Sequence, residues 1–213
     1  ARDEIFNSYA DNNNLTVSNS IFAEGIPRHD KCALLGSDVT RPQRLSFIGN
    51  ICAHNGDRNP DINFTPGSCI EIINNIFYDA QSQFAEIWSS YGGSPVSLVG
   101  NHFRKGPSTA DHAVGIDVET VGATGEPQIF LRDNEFVGDF VHKSPLIKQY
   151  RVDGPACPLT TNPLPVAEAY RHTLAGAGAF PRDAVDRRIV MQVRDRTGRI
   201  VKRPGTIPAI ATG

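Results

Sequence analysis

The sequence is poor in several things, and each shortage removes a class of protein. No apolar run approaches the roughly 20 residues needed to cross a bilayer, which excludes a spanning helix. There is no excess of positive charge: 21 basic residues stand against 23 acidic ones, for a formal net charge of -2. A chain so balanced has no overall basic field to hold a nucleic-acid backbone or an anionic membrane. The four cysteines, Cys32, Cys52, Cys69 and Cys157, form no CxxC and no Cys/His pair at zinc spacing. A structural metal knot is excluded on that pattern, and disulfides are allowed without being demanded. An initiator Met and a charged-then-apolar leader are also lacking, and Ala1-Arg2-Asp3-Glu4 runs directly into strand-like sequence.

What is present is a repeat. Leu15-Thr-Val-Ser-Asn-Ser-Ile-Phe22 recurs as Leu45-Ser-Phe-Ile-Gly-Asn-Ile-Cys52, Ile70-Glu-Ile-Ile-Asn-Asn-Ile-Phe77, Val96-Ser-Leu-Val-Gly-Asn-His-Phe103 and Ile129-Phe-Leu-Arg-Asp-Asn-Glu-Phe136. The first and third positions are apolar in each copy, the period-2 mark of a strand with one buried face. A Gly/Asn/Asp/Ser pair follows, the chemistry of a tight bend with left-handed backbone angles. The starts at 15, 45, 70, 96 and 129 give a period of about 25 to 33 residues, with no helical periodicity between copies. Strand, bend and strand repeated at that interval predict an all-β solenoid of stacked parallel coils.

This reading places Asn50, Asn75, Asn101 and Asn134 in an internal amide ladder that satisfies buried bend groups. Phe22, Phe77, Phe103 and Phe136 form an aromatic column, with Cys52 as its small member and core filler. The coils are expected over 1–140. The remainder, 141–213, is expected to begin as an irregular proline-marked stretch and to carry a helix at about 183–197. Asp183 serves as its N-cap, and Gly198 can end it. The alternating Arg and Asp of that helix make a solvated face.

The repeat frame also sorts the charges. Asp3 lies 12 residues before Leu15, Lys31 14 before Leu45 and Arg58 12 before Ile70. With coils about 4.8 Å apart, the three groups fall within roughly 10 Å along one side of the stack. That face is the candidate groove. A surface salt-bridge ladder is the bland alternative. A hydrolase needs two carboxylates flanking the bond. Asp57 and Asp61 straddle a turn, and no closely grouped Asp pair on adjacent coils stands out. His54, His102 and His112 read as satisfied histidines rather than general bases.

At these residues the sequence resembles the pectate lyase family of polysaccharide lyases. The resemblance rests on His29-Asp30-Lys31 before Ala33-Leu-Leu-Gly-Ser37, on His54-Asn55-Gly-Asp-Arg58-Asn-Pro60, on Asn101-His-Phe-Arg-Lys-Gly-Pro-Ser108 and on the late helix. It implies a right-handed parallel β-helix, a secreted or periplasmic setting, and calcium-dependent β-elimination on polygalacturonate or a related acidic polysaccharide. In that frame Arg58 is the catalytic base, with Lys31, His29 and Asn63 binding substrate and Asp3 and Asn7 holding calcium. Asn7 stands where the family has an aspartate, and Asn63 where it commonly has a second basic residue. An Arg base also needs a field from calcium and neighbouring cations to release its proton. A non-catalytic acidic-glycan-binding β-helix or surface adhesin is the competing reading. The abrupt start at Ala1 adds the expectation that the chain is the C-terminal portion of a longer protein, its coils completed by an N-terminal fragment.

Overall fold

The computed structural model describes residues 4–9, 12–36 and 40–203. Asp3 therefore lies outside the described residues. The architecture is a parallel β-solenoid of about five turns built from three parallel sheets, with short helices towards the C-terminus.

The repeat supplies two of the sheets. In the first, β2 (Leu15–Ser18), β5 (Arg44–Ile48), β8 (Cys69–Ile73), β11 (Pro95–Val99) and β14 (Gln128–Arg132) stack in parallel. Leu15, Leu45, Ile70, Val96 and Ile129, the first residues of the five copies, stand directly opposite one another. The second holds β3 (Ile21–Ala23), β6 (Ile51–Ala53), β9 (Ile76–Tyr78), β12 (His102–Arg104) and β15 (Glu135–Val137). The third is a six-stranded sheet of β1 (Phe6–Ser8), β4 (Ala33–Leu35), β7 (Asp61–Asn63), β10 (Gln83–Trp88), β13 (Val114–Val118) and β16 (Val141–Lys143).

The bend between the first two sheets explains the repeat chemistry. Asn19, Gly49, Asn74, Gly100 and Asp133 occupy equivalent places, and all five have positive φ. Glycine accepts that conformation freely, while Asn and Asp tolerate it better than other residues. The next residue in four coils is the ladder Asn. Asn50 Nδ2 donates to Asn75 Oδ1 at 3.2 Å, Asn75 Nδ2 to Asn101 Oδ1 at 3.0 Å, and Asn101 Nδ2 to Asn134 Oδ1 at 3.0 Å. The aromatic column is present too, with ring centroids 5.2 Å apart for Phe77 and Phe103 and 4.9 Å for Phe103 and Phe136. Cys52 fills its expected place in the core but is bonded to Cys32, so it is a cross-link as well as filler.

Beyond the repeat, the third sheet continues past residue 140, where β16 pairs with β13. The stretch that follows is less irregular than its prolines suggest. After α1 (Ile147–Tyr150), α2 (Val166–Gly176) forms directly after Pro165, which occupies the N-cap and leaves the helix interior free of proline. α3 (Ala184–Asp195) is capped as expected, with Asp183 accepting from the Asp186 amide at 2.8 Å. It ends at Arg196 in the left-handed conformation, two residues before Gly198. Ile189 and Val193 of α3 are buried against Ile51, Ala53, Ile76 and Tyr78 on the outer face of the second sheet. The Cys69–Cys157 disulfide and buried Glu71 anchor the intervening strap, Glu71 accepting from Ser46 Oγ at 2.6 Å and from the Thr160 amide at 3.0 Å.

The ladder gives a direct test. Asn75 accepts from the Asn50 amide at 2.8 Å and donates to the Phe47 carbonyl at 2.8 Å, so Asn75→Ala leaves the buried Asn50 amide unpaired and takes one donor from the Phe47 carbonyl. A buried group left unpaired costs about 1–3 kcal/mol. The variant is expected to lose about 2–5 kcal/mol of unfolding free energy, read as a lower midpoint in chemical denaturation.

Candidate functional site

The segment Asn55-Gly-Asp-Arg58-Asn-Pro60 links β6 to β7 and delivers Arg58 to the rim of the third sheet. Gly56 is required by close approach, since a Cβ there would lie 2.8 Å from the Asp30 carboxyl group. Arg58 has φ 50, a conformation that costs a non-glycine residue about 1 kcal/mol or more. Two backbone bonds hold it: the Arg58 amide donates to Glu86 Oε1 at 3.0 Å, and its carbonyl accepts from the Ala33 amide at 3.1 Å.

The half-buried guanidinium meets two acids. Nη1 lies 2.5 Å from Glu4 Oε1 and Nε 3.5 Å from Asp61 Oδ2. Lys31, one coil away, forms an ion pair with Asp57. Lys31 and Arg58 share one phase of the stack, because Leu34, three residues after Lys31, pairs with Asp61, three after Arg58. In the first coil Asn7 pairs with Leu34, and the acid that reaches Arg58 from that coil is Glu4.

The remaining expected site residues are less close-knit. Asn63 follows Asp61 on the same strand face, in register with Trp88, and its Nδ2 donates to Ser90 Oγ at 3.4 Å. His29 is exposed on the loop leading to β4, and Asn7 is exposed on β1. His54 is fully buried with Nδ1 2.8 Å from Asp79 Oδ2, and His102 Nε2 lies 2.7 Å from the Val166 carbonyl oxygen, so both are built into the scaffold.

A row of carboxylates escaped the sequence reading. Asp61, Glu86 and Asp117 are register partners on β7, β10 and β13 and therefore share one face. Asp61 and Glu86 are about 95% buried, so a carboxylate pair does exist on adjacent coils. Glu86 accepts from the Arg58 amide and, through Oε2, from Trp88 Nε1 at 3.3 Å. Burial, and then the neighbouring Glu86, pushes the Asp61 carboxyl well above its ordinary range. Burial, and then Asp57, raises Glu86 to about 7. Burial alone would lower the Arg58 value, but Asp61, Glu4 and Glu86 outweigh it and hold the guanidinium more firmly protonated. The field at Arg58 thus opposes the loss of its proton.

Calcium needs six to eight oxygens, usually with several carboxylates. Asn7 offers a neutral amide, its register partner Leu34 offers no oxygen ligand from its side chain, and Glu4, Asp57 and Asp61 already face Arg58 and Lys31. No cluster of three or more His, Cys, Asp or Glu among the described residues is arranged to hold a metal. The described residues do not fit a calcium site by themselves.

No protein-family model matches the chain. Among curated proteins it is similar to the probable pectate lyase C of Neosartorya fischeri, at 28% identity over 91% of this chain and 46% of that protein. The probable pectate lyase C of Aspergillus flavus is 29% identical over 90% of this chain and 46% of its own length. That of Emericella nidulans is 31% identical over 51% and 23%. These are distant homologues, and the chain spans about half the length of the first two.

Glu86 makes a pH prediction with a defined sign. Its carboxyl takes up a proton at about 7 in the folded chain against an ordinary value of 4.5. Between these values the folded state binds more protons than the unfolded one, so stability is lost as pH rises through the window. The gap corresponds to about 3 kcal/mol. The groups facing it are Asp57, Asp61, Asp117, Arg58 and Trp88. The thermal midpoint is expected to fall by several degrees between pH 5 and pH 8, and Glu86→Gln to flatten that fall.

Proposed function

We propose that this distant relative of fungal proteins named as probable pectate lyases is a polysaccharide lyase. Its reaction is β-elimination on a uronic-acid polymer of the polygalacturonate type. The observation that carries the reading is the placement of Lys31 and Arg58 at one phase of successive coils, on one face of the third sheet. The relationship to pectate lyases supplies the reaction class. In this elimination the proton leaves the carbon next to the uronate carboxyl group, a carbon–carbon double bond forms, and the glycosidic oxygen departs with its electron pair. Lys31 and the Arg58 guanidinium stabilise the negative charge that develops on the carboxyl group.

The resemblance gives proton removal to Arg58, but its acidic neighbours favour keeping it a cation. The proton acceptor in this proposal is Glu86, whose ionisation near neutrality suits a general base, with Asp61 beside it on the next strand. Asn63 and His29 contribute at the rim. Calcium, with Asp3 and Asn7 as its expected ligands, supplies no step here. The two disulfides are consistent with an oxidising extracellular or periplasmic setting. A second reading, a non-catalytic glycan-binding β-helix, draws support from the ion pairing of both cations in the resting protein.

Unsaturated uronide absorbance separates the two. Arg58→Ala is expected to reduce product formation by about 100-fold or more. Arg58→Lys, which keeps a cation, is expected to retain more activity than the alanine variant. A parent protein that yields no unsaturated product from any uronate polymer overturns the lyase reading. Glycan binding that survives Arg58→Ala without turnover selects the second.

A further inference from the structure

We propose that the last coil of the stack carries a second binding site, which takes a carboxylate group in the position where the next ladder asparagine would stand. The site is a cavity of about 150 Å³ whose polar lining is Arg132, Asp133, Asn134, Lys143 and Arg151. It is separate from the face around Arg58. β16, which carries Lys143, stands three strands beyond β7 in the third sheet, or roughly 14 Å along the stack. The proposal does not depend on the lyase reading.

Two independent features meet in this cavity. The first is the end of the ladder. In every inner rung the Asn backbone amide and Nδ2 both donate to Oδ1 of the next Asn, and Asn101 does so to Asn134 at 3.0 Å for each bond. Asn134 Nδ2 gives one hydrogen to the Leu98 carbonyl at 2.8 Å, and no described residue accepts from its other hydrogen or from the Asn134 backbone amide. The inner rungs show what these two donors are set to hold: one planar, carbonyl-type oxygen.

The second feature is charge. Arg132, Lys143 and Arg151 are exposed and form no ion pair among the described residues. Arg132 and Lys143 approach only the rings of Phe130 and Phe136, at 5.8 Å each. Among the described residues lining the cavity, Asp133 is the one carboxylate, and it already accepts from the Val166 amide at 2.8 Å. Three cations against one engaged acid favour an anionic ligand. A carboxylate is the planar, anionic counterpart of the amide that fills each inner rung. One of its oxygens takes the rung, and the other makes a charge-assisted bond to a guanidinium or ammonium group. Leu131 and half-buried Phe136 line the same cavity and suit the carbon skeleton of the acid. The carboxylate belongs either to a free small acid or to a unit of an acidic glycan.

The test is a nuclear magnetic resonance titration of the isotopically labelled full chain with galacturonate, read at the Asn134 backbone amide. Galactose is the uncharged control and sulfate the tetrahedral anion. Galacturonate is expected to shift the Asn134 amide to saturation, galactose to leave it in place, and sulfate to bind about tenfold more weakly. Lys143→Gln with Arg151→Gln, which alters two exposed side chains, is expected to weaken the galacturonate response by about tenfold or more. An Asn134 amide that does not move, shifts confined to the face around Arg58, or a response untouched by the double variant overturns the proposal. Sulfate binding as tightly as galacturonate also overturns it, because the planar rung then selects nothing. Digalacturonate compared at the same amide separates the two sources. Tighter binding than the monomer upholds the site with a glycan as its ligand, and equal binding upholds it with a free acid.

Discussion

The whole molecule depends on the asparagine ladder. A parallel stack needs each coil to turn at the same place, and each turn leaves backbone amides and carbonyls inside the protein. Asn50, Asn75 and Asn101 answer both needs, each accepting from the amide of the coil before and donating to a carbonyl of that coil and to the next Asn. The ladder satisfies the bend and locks its register in the same bonds. A slip of one residue would send the apolar positions outward and break every rung.

Once the bend is locked, the third sheet inherits its phase through the intervening turns. That is why Lys31 and Arg58, 27 residues apart, arrive on one face. The same stacking has an electrostatic cost. Asp61 and Glu86 are brought side by side, largely out of water, where two ionised carboxylates repel and are poorly solvated. The protein relieves this by favouring their neutral forms and by placing the Arg58 guanidinium against Asp61 and Glu4. Arg58 is therefore embedded in an acidic surround, and that surround holds its proton on.

The C-terminal third braces this arrangement from outside. Cys157 and Glu71 fasten the strap to β8, Asn74 holds it through the Leu164 amide at 2.9 Å, and Thr173 of α2 donates to the Asn74 carbonyl at 2.7 Å. α3 then buries its apolar face on the second sheet, opposite the core side of the same strands. The Cys32–Cys52 bond ties the strand carrying Cys52 to the entry of β4, close to Lys31. The candidate site is thus set between two fixed elements.

The coil architecture, the aromatic column, the ladder and the helix capped by Asp183 were all legible, because each is written in local periodicity and in residues with one backbone preference. Helix α2 was obscured by the prolines around it, although Pro165 sits where a helix start accepts proline. Glu4, Glu86 and Trp88 could not be read as partners of Arg58. Coil lengths vary, with Glu86 25 residues after Asp61 but Asp117 31 after Glu86, so a frame taken from one sheet drifts by a residue or more in another. The sequence by itself determined the stack and its register, since alternation and bend chemistry are properties of a single segment. Only the tertiary structure decided the charge of the groove, because a carboxyl group's ionisation depends on its burial and on neighbours from other coils.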